Sequence, residues 1–332
     1  MTAELLNWSD IEDGPWGTLL VGNGASINVS PSFGYGSLYE AAASKFDAPA
    51  LALFDRMGTR NFEAVLAGLS LTRTLTDAVG EPVSWVDPIY DQVRDGLFDA
   101  VGEVHVPWAA VHATTLQSMA THLVRYKRVF TLNYDLLLYW AVQHDDVRGR
   151  LVDFMWSQEF TFDSTDTAVF GNKTALYHLH GGLHLWRDAL TGTSGKWTAA
   201  DVSLLDGIRG AYQATGSRQP LFVSEGEPED KLRAIQRSDY LSFAYRDFLA
   251  DEQPTVVFGA GLGSPDRHIV DALTAGPPRQ IAISIYPIGG PDAPVAIVHT
   301  KTALMQALPG HELTFFDSTT HPLGRQLQTT SP

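Results

Sequence analysis

Short apolar runs recur along the chain, and most are followed by glycine or small polar residues. Such runs carry few polar side chains and are typical of strands buried on both faces. They lie at residues 18–22, 127–132, 175–179, 220–223, 255–259, 281–286 and 313–316. Because amphipathic stretches alternate with these runs, the sequence predicts an α/β fold. We expect a Rossmann-like, mainly parallel sheet with helices on both faces and right-handed crossovers.

Helical periodicity fills most of the intervening chain. Apolar residues three or four positions apart predict helices at residues 37–43, 62–79, 88–101, 107–126, 136–142, 231–250, 266–273 and 295–308. Ser37 is the expected N-cap of the first of these helices. In the second we expect one buried stripe, made of Phe62, Val65, Leu66, Leu69, Leu75 and Val79.

The connections between the predicted strands differ in length, and this divides the chain. About a hundred residues separate Leu20 from Val129, so we expect a helical insertion at residues 37–126, after the first strand. Residues 183–186 are expected to continue as a strand, and residues 187–216 to form a loop with a short helix. The sequence therefore predicts one domain over residues 17–330, with a second insertion or lid region at residues 185–250.

Composition excludes several classes of protein. Of the residues, 44% are hydrophobic and 18% are charged, which is an ordinary globular balance. The net charge of −15 disfavours direct contact with nucleic acid or an anionic membrane. The absence of cysteine excludes disulfides and thiolate-bound zinc. The acidic N-terminal segment is unlike a signal peptide, and the uncharged run at residues 104–124 is too polar to span a membrane, so we expect a cytoplasmic protein.

Four loops each follow a predicted strand directly. They contain residues 22–26, 133–135, 180–182 and 259–263. In an open α/β sheet the ligand crevice lies outside the carboxyl ends of the strands, so these loops are expected to form one site.

Two of these loops are rich in glycine. The first comprises Gly22, Asn23, Gly24, Ala25 and Ser26, and the second includes Gly259, Ala260, Gly261 and Gly263. Glycine lets backbone N–H groups approach a diphosphate at a helix N-terminus. A strand-to-helix turn requires glycine in any case, so the alternative is a purely structural role for both loops.

The other two loops carry polar side chains that are suited to catalysis. Asn133 and Asp135 follow one strand, where helix capping is the alternative role, and His180 follows another beside two glycines. On a strand, His178 and His180 would share a face, and with His184 they could suggest a metal site. A metal site would also need a third ligand and an opening for the ion, so we expect no bound metal at these histidines.

Together these loops resemble the NAD-binding core of the sirtuins. Residues 22–26 look like the Gly-Ala-Gly-x-Ser motif, and residues 131–135 like the Thr-Gln-Asn-x-Asp motif. Residues 179–182 are similar to the segment with the catalytic histidine, and residues 258–263 to the Gly-Thr-Ser loop that contacts the nucleotide. The resemblance spans roughly residues 17–318. Residues 224–226, 231–235, 240–241 and 316–322 look typical of bacterial sirtuin-like proteins of unknown function.

One departure from the sirtuins affects the expected activity. Sirtuin deacylases carry a four-cysteine zinc module beside the acyl-lysine groove, and this chain has no cysteine. Many zinc-less sirtuin-like bacterial proteins are NAD hydrolases in anti-phage defence, triggered by a sensor partner. The resemblance therefore implies an NAD glycohydrolase without zinc, gated by a separate activating protein and acting as a homo- or hetero-oligomer. A zinc-free deacylase and a non-catalytic module that binds NAD or ADP-ribose are the alternatives.

The resemblance also suggests roles for the residues. Asn133 would position a water or the ribose hydroxyls, and His180 would be the general base. Asp135 would orient His180 or the ribose, or stabilise developing positive charge. The first glycine loop would hold the diphosphate of NAD, and the second would hold the adenosine side together with Ser284. Asp266 and His268 are further candidates, with helix capping as their alternative role.

Overall fold

The computed structural model describes residues 2–34, 38–60, 62–198, 204–215, 217–223, 228–287, 289–290 and 292–324. In this part of the chain the strands are β1 Thr18–Val21, β2 Arg128–Thr131, β3 Leu151–Val152, β4 Thr174–His178, β5 Gly181–Asp188, β6 Ser194–Lys196, β7 Arg218–Phe222, β8 Thr255–Phe258, β9 Gln280–Ile285 and β10 Glu312–Asp317. The α-helices are α1 Gly24–Val29, α2 Leu38–Ala43, α3 Ala48–Met57, α4 Phe62–Ala78, α5 Val86–Val104, α6 Ala113–Leu123, α7 Leu137–Val142, α8 Leu204–Thr215, α9 Pro228–Gln236, α10 Asp239–Leu249, α11 Arg267–Thr274 and α12 Ala293–Ala307. The expected cap Ser37 and residues 224–226 lie outside the described residues.

A seven-stranded sheet forms the centre of the protein, in the order β10-β9-β8-β1-β2-β4-β3. All of its neighbouring strands pair in parallel. Val21 lies beside both Thr131 and Phe258, and Thr131 lies beside His178. The strands β8, β1, β2 and β4 therefore end at one level, and the loops that follow them leave the same edge. The predicted Rossmann-like α/β fold is confirmed.

The sheet has a hydrophobic core on each face. Leu19 and Val21 pack into a core with apolar residues of α1–α8, whereas Leu20, which lies between them, packs into a second core with α9–α12. Successive side chains of a strand point to opposite faces, so the continuous apolar run of β1 supplies both cores. Helices accordingly cover both faces, as predicted.

Helices α1–α6 all lie between β1 and β2 in the chain. The stripe expected on α4 is only partly buried. Phe62, Val65, Leu66 and Leu69 are buried, but Leu75 and Val79 at the end of the helix are exposed. The predicted stripe was therefore wrong in its second half, where the side chains of Leu75 and Val79 lie open to solvent. The domain limits expected from the sequence remain a prediction.

A second sheet of three antiparallel strands, in the order β6-β5-β7, begins directly after β4. The chain turns out of the main sheet at Gly181, whose φ of +71° is left-handed, and a Cβ there would collide with the Leu221 carbonyl. His180 thus lies in the turn between the sheets. The expectation that His178 and His180 share one strand face was wrong, because β4 ends at His178.

The helix predicted over residues 231–250 is two helices, α9 and α10. Ser238 separates them, since its side chain accepts a hydrogen bond from the N–H of Leu241 at 3.2 Å and caps α10. Apolar periodicity alone did not reveal this break. Among the described residues, no helix is long and apolar enough to cross a membrane.

Candidate functional site

A cavity of about 260 Å³ opens at the carboxyl ends of β8, β1, β2 and β4. All four predicted loops contribute to its wall, together with residues of α5 and α9. The described lining residues are Gly22, Asn23, Phe33, Val101, His105, Leu132, Asn133, Tyr134, Asp135, His180, Leu183, Val223, Lys231, Gly259, Ala260, Gly261 and Asp266. The level ends of the four strands are what bring together loops that are distant in sequence.

The predicted site residues divide into those that line the cavity and those behind its wall. The lining group contains Gly22, Asn23, Asn133, Asp135, His180, Gly259, Ala260 and Gly261. The second group, which the cavity lining does not include, contains Gly24, Ala25, Ser26, Gly263 and Ser284. Ser26 and Ser284 nevertheless hold lining residues in place, through contacts described below. The roles assigned to these residues remain predictions.

Asn133 and Asp135 are joined through Ser26. The Asn133 Nδ2 donates to Ser26 Oγ at 2.9 Å, and Ser26 Oγ donates to Asp135 Oδ2 at 2.5 Å. The other Asp135 oxygen accepts at 2.8 Å from the N–H of Leu137, the first residue of α7. One carboxylate oxygen therefore holds the start of α7 and the other holds Ser26, while the site role of Asp135 remains a prediction.

The remaining polar atom of Asn133 is free. Its Oδ1 is buried, and no hydrogen-bond partner for it exists within the described residues. A buried carbonyl oxygen without a partner is costly, so this atom is a ready acceptor for a hydroxyl or a water in the cavity. Because Ser26 occupies the amide nitrogen, the orientation of the Asn133 side chain is fixed.

His180 is buried in the turn after β4, and its Nε2 lies 2.9 Å from Nε2 of His268. Burial lowers the pKa of His180 well below its ordinary value, with the positive charge of Lys231 acting in the same direction, while a hydrogen bond to the Leu132 carbonyl opposes the change. His180 is therefore neutral at pH 7. Since its N–H serves Leu132, we assign the proton between the histidines to His268.

One proposed contact of Asp135 was wrong. The carboxylate was expected to orient His180, among other possibilities, but its hydrogen bonds go to Ser26 and Leu137. His180 is held by His268 on another element, α11. The two other possible roles of Asp135, holding the ribose or stabilising positive charge, remain predictions.

The Lys231 ammonium and the Asp266 carboxylate form an ion pair of 2.8 Å in the cavity wall. Asp266, His180 and His268 also offer three ligand atoms within 4.8 Å of one another, a group that could hold a metal ion. The ammonium of Lys231 already neutralises the only carboxylate of this group. We therefore expect a cation to compete poorly there.

The glycines of the first loop satisfy a packing requirement. A Cβ at Gly22 would lie 2.5 Å from Cα of Ala260, and one at Gly24 would lie 2.6 Å from Cα of Gly259. The N–H groups of Gly22, Gly24, Ala25 and Ser26 all donate to backbone carbonyls. These four N–H groups would have to give up their carbonyl partners to bind an anion, and the expectation that the first loop holds a diphosphate remains a prediction.

Ser284 orders the second glycine loop from the neighbouring strand. Its Oγ accepts a hydrogen bond of 2.9 Å from the N–H of Gly259, whose φ is +68°. Ala260 and Gly261 follow in the cavity wall. Ser284 thus positions this loop, and its expected contact with the adenosine side of NAD remains a prediction.

Sequence reasoning assigned no site role to several lining residues. His105 follows α5, accepts from the N–H of Leu136 at 2.9 Å and donates to the Val106 carbonyl at 2.7 Å. Burial lowers its pKa, and the nearby Asp135 opposes that change. Phe33, Val101 and Lys231 also face the cavity. A lone histidine or lysine in a helical stretch carries no local signal, so only the tertiary arrangement reveals these positions.

His178 and His184 form a separate buried pair. Their ring centroids are 4.9 Å apart, and His178 Nδ1 and both ring nitrogens of His184 lack hydrogen-bond partners among the described residues. Neither residue lines the cavity described above.

A family model matches most of this chain. The family described as "Domain of unknown function (DUF4917)" matches residues 19–323. The chain belongs to the DUF4917 family. No curated protein matches it. Among solved structures, this DUF4917 protein is similar to a Sir2 homologue determined as a mutant in complex with ADP ribose. The identity is 14%, the alignment covers 89% of this chain and 95% of that chain, and the TM-score is 0.33.

Proposed function

We propose that this DUF4917 protein hydrolyses NAD at the bond between nicotinamide and ribose. The observation that carries the proposal is the Asn133–Ser26–Asp135 network on one wall of the cavity, with neutral His180 on another. This set combines a fixed acceptor, a buried negative charge and a proton acceptor. The resemblance of the four loops to the sirtuin core supports the choice of NAD as substrate.

The cavity size limits how much of NAD it encloses. About 260 Å³ is below the range of about 300–1,000 Å³ typical of whole-ligand pockets. We place the nicotinamide riboside in the cavity and the adenosine over the second glycine loop, where Gly261 and Gly263 are exposed. Lys231 is the one lysine or arginine among the described lining residues, and it would face the diphosphate.

The reaction requires little covalent chemistry from the protein. Nicotinamide in NAD carries a positive charge, so the C1′–N bond breaks with its electron pair leaving on a neutral nicotinamide. The ribose then resembles an oxocarbenium ion, as in other glycosyl transfers. The Asp135 carboxylate stabilises that charge, and Asn133 Oδ1 holds a ribose hydroxyl or the attacking water. Water adds to C1′ and passes its proton to His180.

The His180–His268 hydrogen bond is an obstacle to that last step. His180 can accept a proton from water only when its Nε2 lone pair no longer receives the His268 N–H. We infer that the arrangement with the two histidines in contact is a resting form, and that a partner protein or an assembly step separates the two rings. This agrees with an effector in anti-phage defence, since unrestrained NAD hydrolysis would drain the cell.

The test follows nicotinamide release from NAD by the purified chain, alone and with proteins encoded beside it. We expect slow release alone, faster release with one partner, and ADP-ribose or its cyclic form as the second product. Release only in the presence of an acylated peptide would indicate a deacylase. If the chain binds NAD tightly but releases no nicotinamide under any condition, it is a binding module and not an enzyme. Phage plating on cells with and without the gene tests the defence role.

A further inference from the structure

A second cavity, of about 210 Å³, lies between the helices that follow β1 and the three-stranded sheet. Its described lining residues come from α4, α5, α8 and β7, and are Arg73, Asp87, Tyr90, Asp91, Arg94, Tyr212 and Arg218. None of them lines the first cavity. Three arginines and two aspartates line the second cavity, and a third aspartate, Asp95, pairs with Arg94 from outside the lining.

The three arginines are not equally neutralised. Arg94 is buried and pairs with Asp91 at 2.7 Å and with Asp95 at 3.0 Å. Arg73 pairs with Asp87 at 3.2 Å, and both of these side chains are about half exposed. Within the described residues, Arg218 pairs with no carboxylate. Exposed pairs such as Arg73–Asp87 contribute little and open readily, so two guanidinium groups are available to an anion.

Stacking fixes the direction in which Arg218 presents its donors. Its guanidinium lies 3.8 Å from the ring centroid of Trp186 and 4.9 Å from that of Trp197. An indole on the guanidinium face leaves the in-plane N–H groups as the free donors.

The phenol of Tyr90 adds a neutral donor to the same cavity. Burial raises its pKa, and the opposing effect of the Gln219 side chain is smaller, so the phenol stays protonated and can donate a hydrogen bond.

We propose that this second cavity binds a small molecule through a phosphate group. A phosphate offers three acceptor oxygens, which suits a cavity lined by two guanidinium groups and a phenol. Arg218 is the main ligand, Arg73 the second cation and Tyr90 the neutral donor. Arg94 stays paired with its aspartates and shapes the wall.

Two elements connect this cavity to the first one. Helix α5 carries Arg94 at the second cavity and Val101 at the first, about 10 Å further along the helix at 1.5 Å per residue. Strand β7 begins with Arg218, which lines the second cavity. Val223, the residue directly after the strand, lines the first cavity. A ligand on Arg218 would therefore contact a strand whose next residue, Val223, donates its N–H to the His180 carbonyl at 2.8 Å in the wall of the first cavity.

Calorimetric titration of the full chain with inorganic pyrophosphate tests the proposal. We expect one site, whose affinity falls at least about tenfold in Arg218→Gln, the loss expected for a charged hydrogen-bonded pair. Arg73→Gln should weaken binding as well without affecting the tryptophan stack. Arg148→Gln is the matched control, because Arg148 is exposed and is not part of the cavity lining, and this variant should bind pyrophosphate like the unmodified chain.

Further arms make the test decisive. Arg218→Lys keeps the charge but lacks the planar fork, so it should also bind pyrophosphate weakly, and circular dichroism with the thermal midpoint checks that each variant is folded. The proposal is overturned if pyrophosphate does not bind, or if Arg218→Gln and Arg73→Gln bind it unchanged. Binding that Lys231→Gln alone abolishes would assign the anion to the first cavity. Tighter binding of succinate than of pyrophosphate would overturn the phosphate class.

Discussion

The Nε2 atoms of His180 and His268 lie 2.9 Å apart, and the two imidazole rings are nearly parallel, at an interplanar angle of 27°. Burial lowers the pKa of His268 to about 4, so both rings are neutral at pH 7 and one N–H serves the pair. The lone pair that His180 would use to accept a proton is therefore engaged with α11. If the proposed NAD hydrolysis is correct, the strength of this contact would set the basal activity.

His268→Ala tests this relationship. Removing the imidazole frees the His180 lone pair, and a net hydrogen bond of about 1 kcal/mol corresponds to a roughly fivefold increase in basal nicotinamide release. Tyr245→Phe is the control, because the Tyr245 hydroxyl bonds only the backbone carbonyl of His268. A loss of activity as large as that of His180→Ala would show that His268 takes part in catalysis.

Asn133→Ala is expected to reduce NAD cleavage by about 10²–10⁴-fold, the range for one positioned catalytic group. The fold should survive, because Ser26 keeps its hydrogen bond to Asp135. His180→Ala should have an effect of similar size, and the double variant should be little worse because both residues serve one step. Asn28→Ala, on α1 outside the cavity lining, is the matched control. Full hydrolysis by Asn133→Ala would refute the assignment.

Gly24→Ala should act on stability before it acts on binding. The added Cβ would lie 2.6 Å from Cα of Gly259, so the two glycine loops must move apart. We expect a loss of about 1–3 kcal/mol, or several degrees in the thermal midpoint. At Gly102, an exposed position of α5, a Cβ meets nothing within 4 Å, so Gly102→Ala should be neutral or stabilising. Equal midpoints for both variants would contradict the packing argument.

Stability should fall as the pH is lowered from 6.5 toward 4. Burial lowers the pKa of His122 to about 3 and that of His178 to about 4, against an ordinary value near 6.5. In this range the unfolded chain binds protons that the folded chain excludes, so each histidine lowers the free energy of unfolding by about 1.4 kcal/mol per pH unit. His122→Gln should reduce that slope in urea titrations, whereas exposed His299→Gln should leave it unchanged.

Chelation should leave activity intact. Lys231 already neutralises Asp266 in the group with His180 and His268, so we expect no stoichiometric zinc and no effect of EDTA on nicotinamide release. Metal analysis of the purified chain checks the first point. Activity that chelation removes and added zinc restores would contradict this prediction. Lys231→Gln offers a further comparison, since it removes the competing ammonium and should strengthen zinc binding.

The sequence by itself determined the α/β fold and the edge of the sheet where the cavity lies. Apolar runs such as Thr18–Val21 are readable because a strand buried on both faces must be apolar throughout. The loops after four such strands then lie at one sheet edge, which is a consequence of parallel topology and needs no further information. This is why Asn133, Asp135 and His180 could be placed at one site in advance.

Only the tertiary structure decided which side chains meet there. His180 contacts His268 and not Asp135, and Ser26 joins Asn133 to Asp135 across more than a hundred residues of sequence. Such partners depend on side-chain directions and on the approach of separate elements, and neither leaves a periodic trace in the chain. The same holds for the first glycine loop, where the close approach of Gly24 to Gly259 leaves no room for a side chain. Local sequence determines the strands and helices, whereas the packing of distant elements determines which polar side chains contact one another in the cavity.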